Sequence, residues 1–246
     1  MKKTLCLIFA FFAVSGLSLA QTAPIGTPIN FNTVLGPQQL SSSMQLLISL
    51  SIITLVPFFL ISTTSFLRTV IVLSMIRMAV GTQQTPPNAV IIGLSIFMTI
   101  FVMTPVWQEI NTKAIEPYNQ KKISQAKAFE LGAEPLRRFM FRQTRETDLR
   151  LFIQFSRIKA PTKFEEVPTY VLIPAYMISE LKTAFQIGFL IFIPFIVIDL
   201  VVANILLSLG MFMLSPVMVS LPFKILLFVL SDGWNLICRG LMMSFR

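Results

Sequence analysis

Histidine is absent from all 246 residues. That removes the side chain most often used as a general acid or base near neutral pH, and the commonest metal ligand. Cysteine is almost missing as well, occurring only as Cys6 and Cys238. Two thiols that far apart make neither a disulfide framework nor a Cys-x-x-Cys site. Cys238, set among apolar residues, reads as a small buried hydrophobe. There is no Gly-x-x-x-x-Gly-Lys-Ser/Thr loop to cradle a phosphate. An intramembrane aspartyl protease needs two facing carboxylates, but only Asp199 lies deep in an apolar stretch, and Asp232 sits at the far end of the last one. The chain therefore reads as a non-enzyme without cofactor or metal.

Charge is the other scarcity. Charged residues make up 13% of the chain and hydrophobic ones 54%, against roughly 25% charged in a typical soluble domain. So few charges cannot coat a water-facing globule of this length, so membrane lipid or a larger assembly must surround it. The charges are also bunched: 12 of the 20 Lys and Arg and 8 of the 11 acids fall between Trp107 and Pro168, while residues 21–107 carry only Arg68 and Arg77. The net charge of +9 does not point to nucleic acid, because both signs are mixed in the charged segment and no recognition module accompanies them.

The N-terminus reads as an address. Met1-Lys2-Lys3 is a positive n-region, Leu5 to Val14 an apolar h-region, and Leu17-Ser18-Leu19-Ala20 a small-residue cleavage site. Residues 1–20 are thus expected to be a signal peptide cut between Ala20 and Gln21. The h-region is shorter than the ~20 apolar residues an uncleaved span would use. Residues 21–43, punctuated by Pro24, Gly26, Pro28, Gly36 and Pro37, are expected to form a flexible N-terminal arm.

Four long apolar stretches follow, giving an all-α, membrane-associated chain of two hairpins. Residues 44–107 hold Met44 to Ile61 and Ala89 to Val106; residues 169–246 hold Phe185 to Leu209 and Pro216 to Leu230. Between them, 108–168 is a mixed-charge helical insert. In it Phe129, Leu136, Phe139 and Met140 offer an apolar face among Arg137, Arg138 and Arg142, with breaks expected at Pro135 and Pro161. With the mature N-terminus outside, Ser65 to Asn88 becomes an inner loop carrying Arg68 and Arg77, in keeping with the positive-inside tendency. The insert then lies on the periplasmic side, long enough that its charge does not set orientation.

The stretches are poor lone spans. Asp199 and Lys224 sit within them, and an ionised residue at a helix centre costs roughly 2.5–3.5 kcal/mol on insertion scales. Pro57, Pro194 and Pro222 each remove a helix hydrogen bond. Such residues persist where they face protein or a watery path. Two readings stand: Asp199 and Lys224 lock two helices together, or they line a path.

Three runs resemble the FliP family. They are Thr64 to Arg77, continuing through Gly81 to Asn88; Ile173 to Gly188; and Leu221 to Trp234. The resemblance covers nearly everything from Met44 onwards. It implies a pore-forming subunit of the flagellar type III protein export gate, in the inner membrane within the basal body. It further implies a self-assembled ring of about five copies, with FliQ- and FliR-type subunits, other export-apparatus membrane proteins, and unfolded protein substrates in transit. The family places a methionine-rich constriction where this chain has Gly210 to Leu214, so Met211, Phe212 and Met213 are the expected pore seal, Phe212 standing where relatives carry a middle methionine. Ordinary helix-end packing is the alternative for these three. Arg68, Arg77, Glu180, Lys182, Asp199, Lys224 and Asp232 are the expected buried charges for assembly. The rival functions are a passive basal-body scaffold and a small-molecule or ion transporter using Asp199.

Overall fold

The computed structural model describes residues 37–82, 84–156, 158 and 166–245. The expected cleavage site at Ala20 and Gln21, most of the expected arm and Pro161 lie outside them. The chain divides into two units, residues 1–53 and 54–246. In the first, the described residues are helical from Pro37 onward and expose Met44, Leu47, Leu50 and Ile53.

Among the described residues every regular element is a helix: α1 (Pro37–Thr63), α2 (Phe66–Val80), α3 (Asn88–Ile110), a π-helical turn (Asn111–Ile115), α4 (Glu116–Asn119), α5 (Gln125–Gln143), α6 (Glu146–Ser156), α7 (Thr169–Ser208), α8 (Pro216–Leu230) and α9 (Gly233–Met243). The α8 bounds coincide with the apolar stretch expected from sequence. Six prolines lie within helices, Pro57, Pro105, Pro135, Pro174, Pro194 and Pro222, and leave them unbroken. Away from water a broken helix strands more backbone polar groups than one proline removes.

The structure differs from expectation at three places. The segment expected as an inner loop is α2, a core helix. Its Thr69, Val72, Leu73, Ile76 and Val80 are buried at the i, i+3, i+4, i+7 spacing of one helix face. Accordingly it is α2 that packs against α3. Pro135 does not break the insert; α5 runs through it. The break falls at Thr144–Arg145, where the Arg145 amide leaves the helix pattern and donates to Ser179 Oγ (3.0 Å). Finally, the stretch beginning at Phe185 is only the later part of α7, which is 40 residues long, or about 60 Å at 1.5 Å per residue.

A hydrocarbon core is about 30 Å thick, so α7 is twice as long as a span needs, and its two halves live differently. The first half is a packing hub. Val171, Leu172, Ala175 and Tyr176 join Met140 of α5 and Leu149 of α6 in one apolar core. The second half exposes Phe189, Leu190, Ile193, Val197, Leu200 and Val201. It contributes Phe195, with Ala184, to another core built on Val72, Leu73 and Ile76 of α2, Ile91 and Met98 of α3, and Leu241 of α9. By length and composition two helical segments, Asn88–Asn119 and Thr169–Ser208, can cross a membrane. Counting each bent pair as one span raises that to four: Ile53–Thr63 of α1 with α2, bent by 74°, and α8 with α9, bent by 63°.

At the α2–α7 crossing a Cβ on Gly188 would meet the flexible end of the Met75 side chain. That end can swing aside for one methyl group, and alanine is the better helix former, so Gly188→Ala is expected to be near neutral. Gly188→Leu should lower the stability of the detergent-solubilised protein by about 1–3 kcal/mol, the usual cost of overpacking. Met75→Ala alongside Gly188→Leu should recover part of that loss. Thermal unfolding of these variants checks it; a neutral Gly188→Leu would mean the crossing is loose.

Candidate functional site

The α7–α8 hairpin ends in an apolar tip. Helix α7 closes on Gly210, whose φ of +71° places it in the left-handed region that glycine occupies without steric cost. The Gly210 amide donates to Leu207 O (3.0 Å) and the Met211 amide to Leu206 O (2.9 Å), the paired bonds of a Schellman stop. Pro216 then starts α8 at its first turn, where its missing N–H loses nothing. Between these stops Met211, Phe212, Met213 and Leu214 are all exposed, Phe212 at 77% and Met213 completely. The three residues expected at a seal are thus brought together, exposed, at a short turn.

Asp199 and Lys224 tie the two legs. Lys224 Nζ donates to Asp199 Oδ2 (2.6 Å) and Ser220 Oγ to Asp199 Oδ1 (2.5 Å). The ammonium is buried, at 5% exposure, while the carboxylate keeps 31%. The pair is intramolecular, and one edge of Asp199 still faces outward. Val202 and Leu206 of α7 are buried near it in sequence, at one helix-face spacing.

A second polar cluster sits midway along α7, between the two apolar cores. Arg68, 2% exposed, meets Glu180, 0% exposed, through two hydrogen bonds. Its Nε donates to Oε2 (2.9 Å) and one terminal nitrogen to Oε1. Tyr176 OH donates to Thr64 O (2.8 Å) and so fixes the bend between α1 and α2. One turn on, Asp148 of α6 accepts from Ser179 Oγ (2.8 Å) and from Lys182 Nζ. Arg145 reaches Thr183 Oγ1 (3.2 Å) and Gln186 Oε1. Arg68, Glu180 and Lys182 thus come together, but Lys182 pairs with Asp148, a residue the sequence reading did not single out. Its only signal was its place in the first turn of α6, where an acid suits the helix dipole.

The other two expected charges stand apart. Arg77 braces the turn after α2 through Asn88 Oδ1 (2.6 Å) and Pro86 O (3.2 Å). Asp232 is exposed at the α8–α9 bend, with φ +50° and an Asn235 side-chain donor at 3.0 Å. Among the described residues no three His, Cys, Asp or Glu side chains cluster as metal ligands.

The FliP family model matches residues 49–241. The flagellar biosynthetic protein FliP of Bacillus subtilis is 49% identical over 217 residues, covering 88% of this chain and 98% of its own length. Its namesake in Borreliella burgdorferi is 47% identical over 247 residues, covering 96% and 97%. That of Aquifex aeolicus is 45% identical over 234 residues, covering 94% and 95%.

Asp148 is expected to make the docking of the insert sensitive to acid. Burial pushes its carboxyl up, but hydrogen bonds from Lys182 and Ser179, with the charges of Lys182 and Arg145, outweigh that and hold it below the usual carboxylate value. A carboxyl lowered by folding stabilises the fold fully above its unfolded value, and the contribution is lost as pH falls towards the folded one. The melting temperature of the detergent-solubilised protein should therefore drop from about pH 5 downward. Asp148→Asn should be less stable at pH 7 and show a shallower acid decline. Parallel curves for the two proteins would remove Asp148 as the cause.

Proposed function

Since the chain belongs to the FliP family, we propose that it is a pore-forming subunit of the flagellar type III protein export gate, conducting unfolded flagellar subunits across the inner membrane. Family membership and the apolar helices make it a membrane component of the flagellar biosynthesis and export apparatus. The hairpin tip supports the pore-forming role. Three large, flexible or aromatic side chains exposed together at one turn are what a shared constriction needs from each copy.

In a ring of about five copies, a heterologous interface that closes on itself brings every tip to one axis. Methionine, with three rotatable bonds and a polarizable sulfur, can close on itself and yet yield to varied passing sequences. A ring of apolar side chains also excludes water, and with it ions. Phe212 makes this seal more aromatic. The gate holds no energy-converting chemistry of its own in this reading; it supplies a path that is closed to ions and open to a chain. FliQ- and FliR-type subunits and further export-apparatus membrane proteins complete the assembly. The exposed apolar faces of α7 and α8 are the surfaces for lipid and for neighbouring subunits.

A coupling transporter built on Asp199 is the poorer reading, because that carboxylate already accepts from Lys224 and Ser220. With its uncovered edge it suits a helix lock that also meets a neighbour. The alternative of a passive scaffold makes a distinct prediction at the tip.

Replacing Met211, Phe212 and Met213 together by Ala should raise ion leak and slow growth while the complex still assembles. Met213→Leu alone should do far less, since volume-conserving apolar swaps usually cost under about 1.5 kcal/mol. Membrane potential in cells expressing each variant, with assembly checked in parallel, makes the test. Normal assembly without added leak in the triple variant would move the seal elsewhere and favour the scaffold.

A further inference from the structure

The guanidinium of Arg68 has five N–H donors, and each has an acceptor. Three go to Glu180 and to Gln143 Oε1 (3.1 Å). The other two, on the second terminal nitrogen, go to a single residue, Ser244: its carbonyl at 2.9 Å and its hydroxyl at 3.0 Å. Ser244 and Phe245 follow α9 directly. The Phe245 ring lies 3.9 Å from Arg68 Cζ and stacks on Phe139 of α5 at 6.3 Å. Gln143 Nε2 donates to Phe245 O (3.3 Å). A two-residue segment thus closes the last open side of a buried cation.

We propose that Ser244–Phe245 is a strap that docks on Arg68 and, by holding the end of α9, positions the α8 leg of the hairpin against α7. The connection is continuous. Leu241 of α9 is buried in the core with Val72 and Ile76, and Ile237 and Cys238 pack beside them. At the other end of α9 the bend at Asp232 leads into α8, with Gly233 pressed against the Phe228 ring and Trp234 edge-on to it at 5.3 Å. From there α8 runs back through Lys224 to the apolar tip. Undocking the strap exchanges two hydrogen bonds to a charged group and the ring contact for water, so the docked state is favoured. The strap also couples three elements that share no sequence neighbourhood: α2 through Arg68, α5 through Phe139 and Gln143, and α7 through Glu180.

Cys238, half-buried on α9, is the reporter. In full-length protein carrying Cys6→Ser it is the single thiol, and its rate of maleimide labelling in native membranes reads the opening of α9. Phe245→Ala removes the ring from the cation, and Phe245→Tyr keeps it. A desolvated cation–π contact contributes enough that its loss should speed labelling by about tenfold. Phe245→Ala is therefore expected to label about tenfold faster well below its melting temperature, with the midpoint little changed, and Phe245→Tyr to label at the parent rate. Met243→Ala, at an exposed side chain of the same helix end, should also match the parent. Unchanged labelling in Phe245→Ala would overturn the strap. So would acceleration that merely follows the melting temperature across all variants. If Phe245→Ala fails to accumulate, Ser244→Gly, which keeps the carbonyl and loses the hydroxyl, is measured in its place, with faster labelling expected and an unchanged rate again overturning the proposal. None of these readouts depends on ion leak, so they are independent of whether the tip seals a pore.

Discussion

A guanidinium with no water around it must have all its donors met, and that requirement organises this molecule. Arg68 is buried at the level where the two apolar cores adjoin along α7. Its partners come from α5, α7 and the segment after α9. A buried ion pair is not by itself a large source of stability, because desolvation cancels much of the attraction. Its force lies in what breaking it costs, roughly 3–5 kcal/mol when one partner is left alone. The cluster therefore selects one arrangement of four segments over looser ones that apolar packing alone would accept.

That arrangement accounts for the unusual length of α7. Its first half is held in protein by Tyr176, Ser179, Glu180 and Lys182, while its second half presents apolar side chains outward and ends at the tip. One rigid element joins the charged insert to the tip. The Asp199–Lys224 pair repeats the device further along, fixing the second leg. Both locks lie within helices that are too apolar to be water-facing, and both use each charge to satisfy the other.

The long apolar helices, the hairpin at α7–α8 and the ends of α8 were legible in sequence, because hydropathy and proline placement are local signals. Asp199 and Lys224 were readable as a pair for the same reason: they lie 25 residues apart across a single tight turn. Helix α2 was not, because Arg68 and Arg77 looked like the charges of an inner loop, although the spacing of Val72, Leu73, Ile76 and Val80 carried the helical stripe. The partners of Arg68 were beyond reach altogether. They lie 75, 112 and 176 residues away, and nothing local marks Gln143 or Ser244 as acceptors. Pro135 misled for a related reason, since packing overrides a local breaker.

Arg68 and Glu180 act as one unit that holds the two cores in register. A double-mutant cycle with Arg68→Met and Glu180→Leu, followed by denaturant unfolding of the solubilised protein, tests it directly. Each single variant should lose roughly 3–5 kcal/mol, because a buried charge is left unpaired. The double variant should lose far less than the sum, giving a coupling of about 2–3 kcal/mol. Losses that simply add would rule out a shared unit and make the two residues separate contributors to packing.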